Sequence, residues 1–520
     1  MSYMTSSLPS EIQWAICRCL PKDALLHLAL CKPWHEVASA MIWERIDDIN
    51  ALFGLLSPDV KAVTINGLNG WIKSGPDDWG NVLKRSRQVK YLHLHCLKDE
   101  IQIQIVESLA GTILCPNLVE LRIGSSMASI YNVRNEFLRA LIPPTLPSLV
   151  LVNVIANSKR PATDALLTCR NLSTVHVADD FLDYCDEDDG WKDDFILNTL
   201  DALCHCPVLS EVTLDIALYR RRVVLKALSR CPRLQSLRAR FRLDSPSVDT
   251  VTLSYARPAF AELRNLHLQC ATFGDATNIL MAEDKRCMGS ITVLTHESNP
   301  SRAFAPLVAA IRSRCVSQHL RSVELGKVQG RREVDSASWA ITFQDLAPLL
   351  VFQRLTQVIL GPPVQMMVSE DKYEKMARAW PELQLLRIRC DAHYNVEPSC
   401  TLGTLATFAQ HCRQLRQIEL PFAAINVPVV ALSTDTEIEE DSEGLTICVP
   451  TCTRIEDPKE VAKYLGKIRS SVSVQLAYCK RNVIAMDNAG GDARRDAWEM
   501  VARLMTRCFK SYSGIGDQVT

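Results

Sequence analysis

Apolar residues recur along this chain as L-x-x-L-x-L, with Val or Ile allowed at each apolar place. The phrase "CPNLVELRI" (Cys115–Ile123) has relatives in "CRNLSTVHV" (Cys169–Val177), "CPVLSEVTL" (Cys206–Leu214) and "CPRLQSLRA" (Cys231–Ala239). "FAELRNLHL" (Phe260–Leu268), "WPELQLLRI" (Trp380–Ile388) and "CRQLRQIEL" (Cys412–Leu420) continue the series. The first apolar position falls at Val60, Val89, Leu118, Leu149, Leu172, Leu209, Leu234, Leu263, Ile291, Leu320, Leu355, Leu383 and Leu415, with a poorer copy at Val472. The spacing averages just under 30 residues from Val60 to Leu415, and a sustained period of that size marks a repeat array.

Each unit has two halves. The L-x-x-L-x-L half alternates apolar with polar and predicts a strand. The half before it, as in "IQIVESLAGTIL" (Ile103–Leu114) or "RRVVLKALSR" (Arg221–Arg230), predicts a helix. That helix stops before Cys-Pro, because Pro cannot continue it and forces the preceding residue into an extended conformation. One helix and one strand per unit resemble leucine-rich repeats of the irregular, ribonuclease-inhibitor-like kind, over roughly residues 55–480. The Asn or Cys usual beyond the last Leu of such repeats is mostly absent. The expected fold class is α/β: a solenoid with parallel strands inside and helices outside. The repeated Leu, Val and Ile residues are then core.

Long intervals mark insertions. "DDFLDYCDEDDGWKDD" (Asp179–Asp194), "GKVQGRREVDSASWA" (Gly326–Ala340) and "TDTEIEEDSE" (Thr434–Glu443) fall in them, the last as a disordered loop with a degenerate repeat around it. Near the end, Trp498, Val501, Met505 and Cys508 share one helical face, suited to capping the open end of an array. Docking a partner is the other use of such a face. The expected domains are 1–50, 51–480 for the array, and 481–520 for a helical cap or tail.

Charge and composition narrow the function. The chain of 520 residues carries 58 basic and 59 acidic residues, so no global field draws it to nucleic acid or to an anionic membrane. No signal peptide, membrane span or prenylation motif is visible, and the expected compartment is cytosol or nucleus. The 20 cysteines are too dilute for a disulfide scaffold and cluster at helix ends, where they read as small buried hydrophobes.

Catalytic motifs are missing. There is no phosphate-binding G-x-x-x-x-G-K-[ST], no G-x-G-x-x-G, no G-x-S-x-G and no H-E-x-x-H. Cys448 and Cys452 form a lone pair without a second pair at zinc spacing. A calcium loop using Gly190 as its sixth residue would start at Cys185 and end at Ile196, and neither residue is a ligand. His93 and His95 alternate on one strand and are expected to face solvent. No cofactor or metal is expected, and the chain is read as non-catalytic.

Ahead of the repeats stands "LPSEIQWAICRCLPKDALLHLALCKPWHEVASAMIWERI" (Leu8–Ile46). Pro9 suits a first helical turn, and Ile12, Ile16, Cys19 and Leu20 form an apolar stripe at helical spacing. Pro21 ends that helix; Asp23 is placed to cap a second carrying Leu25, Leu26 and Leu28. Pro33 opens a third with Trp34, Val37, Ala38 and Met41 on one face, followed by Trp43. Three short helices in about 40 residues bury too little surface to stand alone.

This segment resembles an F-box. The family pattern appears as Leu8-Pro9-Ser10-Glu11-Ile12, then Ile16 and Leu20, then Leu25, Leu26 and Leu28, then Cys31-Lys32-Pro33-Trp34, then Ile42-Trp43. Ile42 stands where Leu is usual, and Pro33 is less common at its place. The resemblance implies binding to the Skp-type adaptor of cullin-RING ubiquitin ligases, through Leu8, Pro9, Ile12, Ile16, Leu20, Leu28, Cys31 and Trp34. Leu25 and Trp43 are expected to hold the helices together instead. The physical mode is a helix in a groove.

In each strand, the residues flanking the last two apolar positions point away from the core. Those that stand out as a substrate surface are Tyr91, His93, Arg122, Arg238, Arg240, His267, Arg387 and Arg389. Arg238, Arg240 and His267 are expected to form one basic cluster, and Arg387 with Arg389 a second. Arg clusters suit phosphate or acidic peptides. The expected function is substrate recognition in an SCF-type (Skp–cullin–F-box) ubiquitin ligase, with an acidic or phosphorylated protein as substrate. The alternative is a scaffold that binds partners without ubiquitylation.

Overall fold

The computed structural model describes residues 8–56, 79–94, 99–124, 134–152, 166–178, 199–218, 221–241, 259–269, 271–282, 285–295, 301–328, 339–361, 365–388, 400–428, 444–450, 453–468, 472–477 and 490–513. The chain divides into two compact units, Met1–Ser245 and Pro246–Thr520.

The first unit opens with three helices: α1 (Ser10–Arg18), α2 (Lys22–Ala29) and α3 (His35–Glu44). Pro9 and Pro21 stand at the N-caps of α1 and α2, positions that need no backbone donor. Asp23 therefore does not cap α2; it lies in the first turn, where its charge complements the helix dipole. Seven parallel strands follow among the described residues: β1 (Arg45–Ile46), β2 (Tyr91–Leu94), β3 (Glu120–Gly124), β4 (Ser148–Val152), β5 (Thr174–Ala178), β6 (Glu211–Leu218) and β7 (Ser236–Phe241). Each pairs with the next in chain order.

The second unit repeats the scheme. Its strands are β8 (Asn265–Gln269), β9 (Ser290–Thr295), β10 (Ser322–Lys327), β11 (Ala340–Thr342), β12 (Gln357–Gly361), β13 (Gln365–Met367), β14 (Leu385–Ile388), β15 (Cys400–Thr401), β16 (Gln417–Glu419), β17 (Phe422–Ala423), β18 (Leu445–Pro450) and β19 (Val472–Ala477). The main parallel order is β8-β9-β10-β12-β14-β16-β18-β19, with β11–β13 and β15–β17 as small sheets beside it. The architecture is α/β and solenoid-like within each unit, as the period predicts.

One backbone device recurs at many of the rungs. The two N–H groups that open a strand donate to a single carbonyl of the preceding rung. Val119 and Glu120 share the Lys90 oxygen at 2.7 and 3.0 Å; Ser210 and Glu211 share that of Ser173 at 2.9 and 3.0 Å. Gln384 and Leu385 share that of Thr356 at 2.8 and 3.0 Å. This fork fixes the register before the ladder begins and leaves no opening donor unpaired.

Register corrects two sequence assignments. Leu149 pairs with Leu121 and Val175, the second apolar position of its neighbours, so the first position of that rung is Leu146. Ile291 pairs with Leu266 and Val323 in the same way, and Met288 comes first. Runs such as "LPSLVLV" satisfy the apolar pattern at two offsets, and only pairing separates them. Val60 lies outside the described residues, but β2 has β1 on one edge and β3 on the other. The strand that pairs with β2 on its N-terminal side is β1, Arg45–Ile46.

The helix-end position is a stack of buried cysteines and aromatics. Cys115, Cys169, Cys206, Cys231 and Cys412 are buried there, and Phe260, Phe352 and Trp380 take the same place in other rungs. Cys206 Sγ donates to the Cys169 carbonyl at 3.3 Å, and Cys412 Sγ to that of Trp380 at 3.3 Å. A thiol here fills space like a small hydrophobe and still reaches a carbonyl of the rung before it. Burial pushes the Cys115 thiol up to about 12 and those of Cys169 and Cys206 to about 11, so these groups are unreactive.

At the end of the second unit, helix Gly490–Ser513 buries Trp498, Val501 and Met505. The Trp498 ring meets Phe422 edge-on, and its Nε1 donates to the Thr453 carbonyl at 3.1 Å. Among the described residues, no helix is long and apolar enough to cross a membrane.

Candidate functional site

Helices α1–α3 close on a small core of Cys17, Leu25, Val37 and Ala38. Trp14, Leu20, Leu28, Ala29, Trp34, Met41 and Ile42 pack partly buried against it. So small a core leaves part of the apolar surface of these helices outside it. What stays outside is concentrated on α1 and α2. Leu8, Ile12 and Ile16 are 45%, 46% and 39% exposed, and Leu26 and Leu30 are 50% and 85% exposed. Pro9 and Cys31 are exposed beside them. Leu20, Leu28 and Trp34 divide their surface between the core and solvent. Leu25 is a core residue as expected. Trp43 lies outside that cluster; its ring faces the Arg85 guanidinium at 6.0 Å.

The helices are fixed to the repeats behind them. Arg45 and Ile46 pair with Tyr91 and Leu92, and Lys90 N donates to the Glu44 carbonyl at 2.9 Å. Lys90 Nζ meets Glu44 Oε1 at 2.9 Å, and Arg85 Nη1 donates to Ser39 Oγ at 2.7 Å. The apolar face of α1 and α2 is thus carried on a rigid mount rather than on a free tether.

On the face of the first unit's sheet opposite its buried side chains, strand register assembles one row: His93, Arg122, Val150, His176, Thr213 and Arg238. That row holds no carboxylate. Arg122 and Arg238 are exposed, with no ion pair among the described residues. They lie two strands to either side of His176, about 19 Å apart at ~4.8 Å per strand. Burial holds His176 below the usual histidine value; Asp215 opposes that shift, while Arg122 and Arg238 add to it. The neighbours are engaged elsewhere. Arg240 Nη1 lies 3.8 Å from Asp215 Oδ1, and the Arg45 guanidinium covers the Tyr91 ring at 4.9 Å.

The second unit's equivalent row reads His267, Thr292, Glu324, Ile359, Arg387, Glu419, Cys448 and Gln475. Arg387 Nε sits 3.0 Å from Glu419 Oε2, both largely buried, so its charge is neutralised in place. The expectation of a second basic cluster is therefore corrected at Arg387, and Arg389 lies outside the described residues. The expected cluster of Arg238, Arg240 and His267 is corrected at Arg240, which faces Asp215; His267 lies on β8 of the second unit.

Three residues of these surfaces escaped the sequence-level selection. Leu26 and Leu30 belong to "LLHLAL", too rich in Leu for one face of an eight-residue helix, which already signals that some must face out. His176 is one histidine of "STVHV" with nothing in the sequence to mark it, and only the register places it midway between the two arginines.

No protein-family model matches the chain, and no curated protein matches it. Among solved structures it is similar to "Crystal structure of Rad7 and Elc1 complex in yeast", at 12% identity over 95% of this chain and 100% of that one. The TM-score is 0.38, too low to bear on fold or function.

Proposed function

We propose that this chain is a substrate-recognition subunit of an SCF-type ubiquitin ligase. Helices α1–α3 would be its F-box, seated on a Skp-family adaptor and through it on a cullin. The repeats would hold the protein substrate. The chain itself would be non-catalytic, with no cofactor, acting in cytosol or nucleus.

The observation that carries this reading is the exposed apolar face formed by Leu8, Ile12, Ile16, Leu26 and Leu30 on helices that already have a core. An apolar stripe on a fixed helix pair suits insertion into a partner's groove. The substrate side rests on the Arg122–His176–Arg238 row. Its two exposed guanidiniums, in no ion pair with a described residue, favour an acidic or phosphorylated segment, and an extended peptide crossing the strands would span them in about six residues.

Affinity purification of the tagged full chain from cells tests this reading. The adaptor and a cullin are expected to co-purify with the wild-type chain, and both to be lost with Ile12→Asp/Ile16→Asp. A wild-type chain that captures neither contradicts the ligase assignment. Capture of the adaptor without a cullin points to the scaffold reading.

A further inference from the structure

We propose that Cys204 and Cys231 form a redox-responsive dithiol, which a hydroperoxide closes into a disulfide joining two adjacent repeats. Their sulfurs stand 3.3 Å apart. Cys204 follows the short helix that precedes β6, and Cys231 holds the helix-end position before β7. Closure to a bond of about 2.05 Å requires an approach of only about 1.3 Å, shared between two side chains. This inference rests on the repeat geometry and is independent of the ligase reading.

The pair differs from every other helix-end cysteine described. Cys169, Cys206 and Cys412 turn their thiols to carbonyls of the rung before, and burial makes them inert. Cys204 is half-buried, so an oxidant can reach it, whereas Cys231 is buried directly behind it. Cys204 Sγ also approaches the Ala227 carbonyl at 3.1 Å, which holds it toward the neighbouring repeat. The hydrogen bond from Cys231 pulls the Cys204 thiol below its ordinary value, and the nearby Arg230 guanidinium adds to this. Cys231 moves the opposite way, raised by the same hydrogen bond and then by burial. One thiol is thus set to attack and the other to resolve.

The chemistry balances with hydrogen peroxide as the oxidant. The Cys204 thiolate attacks the peroxide oxygen, the O–O bond breaks, and the departing hydroxide takes a proton to become water. Cys204 is left as a sulfenic acid. The Cys231 sulfur, giving up its proton, then attacks the Cys204 sulfur. The S–O bond breaks, the S–S bond forms, and a second water leaves. Two thiols are oxidised and one peroxide is reduced to two waters. The product links β6 and β7, the strands that carry Thr213 and Arg238.

The test uses the full chain, reduced and then exposed to hydrogen peroxide at one equivalent. The reaction is quenched by alkylation and mapped by peptide mass. The expected product is a Cys204–Cys231 linked peptide lighter by two hydrogens, reversed by dithiothreitol, and at least about tenfold more abundant than any other cysteine link. Cys231→Ser is expected to leave Cys204 carrying one or more oxygens and no link. The exposed thiols Cys19, Cys31 and Cys287 give the reference rate of oxidation. Oxidation of those three without the Cys204–Cys231 link in the wild-type chain overturns the proposal, whatever the variant does. Indiscriminate linking of Cys204 to several cysteines overturns it as well.

Discussion

Arg85 Nη1 donates to Ser39 Oγ over 2.7 Å, across 46 residues of sequence. The serine is buried on α3, so the bond ties the N-terminal helices to the first full repeat. A hydrogen bond from a charged donor to a buried hydroxyl is worth about 1.5–3 kcal/mol, and Arg85 also covers Trp43. Arg85→Ala is expected to cost about 2 kcal/mol locally. Hydrogen exchange should speed up across α3 and β1 and stay unchanged across β9 and β10. Uniform acceleration through both units would place the role of Arg85 elsewhere.

Arg122 and Arg238 are exposed and form no ion pair with a described residue, whereas Arg387 is neutralised by Glu419 at 3.0 Å. Charge reversal should separate them. Arg122→Glu/Arg238→Glu is expected to weaken capture of an acidic or phosphorylated substrate by at least about tenfold, from two lost charge-assisted contacts. Arg387→Glu should lower stability, by leaving Glu419 beside a second acid, and leave capture nearly intact. Equal losses of capture from both variants would show that the first row has no special part.

The position of His176 gives the first unit a pH dependence. Burial, with help from Arg122 and Arg238, holds it below the usual value of 6.5. As pH falls through 6.5 the unfolded chain takes up a proton that the folded chain refuses, so acid lowers stability at this site. The charges of Asp215 and Glu211 oppose the shift and moderate the effect. In His176→Gln, chemical denaturation between about pH 7 and pH 5 is expected to show a shallower decline than wild type. An identical decline would mean that other groups govern the acid side.

Gly326 ends the open face of β10 against Gly361 of β12. A Cβ at Gly326 would fall inside the carbonyl oxygen of Gly361, which is backbone and cannot swing away. Gly326→Ala is expected to destabilise the second unit by several kcal/mol, on the order of 3, because two paired strands must part. Thermal unfolding measures this. Gly80→Ala, where nothing lies within 4 Å, is the matched control and should be close to neutral.

Much of the array was legible because burial on one side of a parallel strand leaves a period-two mark, and the helix-end Cys repeats it. Positions such as Leu118, Leu234 and Leu383 are all buried where the pattern puts them. Register was less legible. "LPSLVLV" and "MGSITVL" are apolar at two offsets, and a misassignment by one offset costs nothing in sequence but changes every partner. Strand β18 was hidden behind the acidic stretch Thr434–Glu443, since a single apolar run has no neighbour in the text to align with. The site was legible as residue types, not as pairings. Arg238, Arg240 and Arg387 look alike in sequence, and only the strand alongside tells which faces Asp215 or Glu419.

We propose Leu8, Ile12 and Ile16 as half of an interface. Each is between 39% and 46% exposed, so burying the remainder would contribute about 1 kcal/mol apiece, while their loss should barely affect the fold. Equilibrium binding of the purified full chain to a purified Skp-family adaptor measures this most directly. A one-to-one complex is expected, weakened by at least about a hundredfold in Ile12→Asp/Ile16→Asp with the melting temperature unchanged. No binding by the wild-type chain, or binding that survives the double substitution, would contradict it.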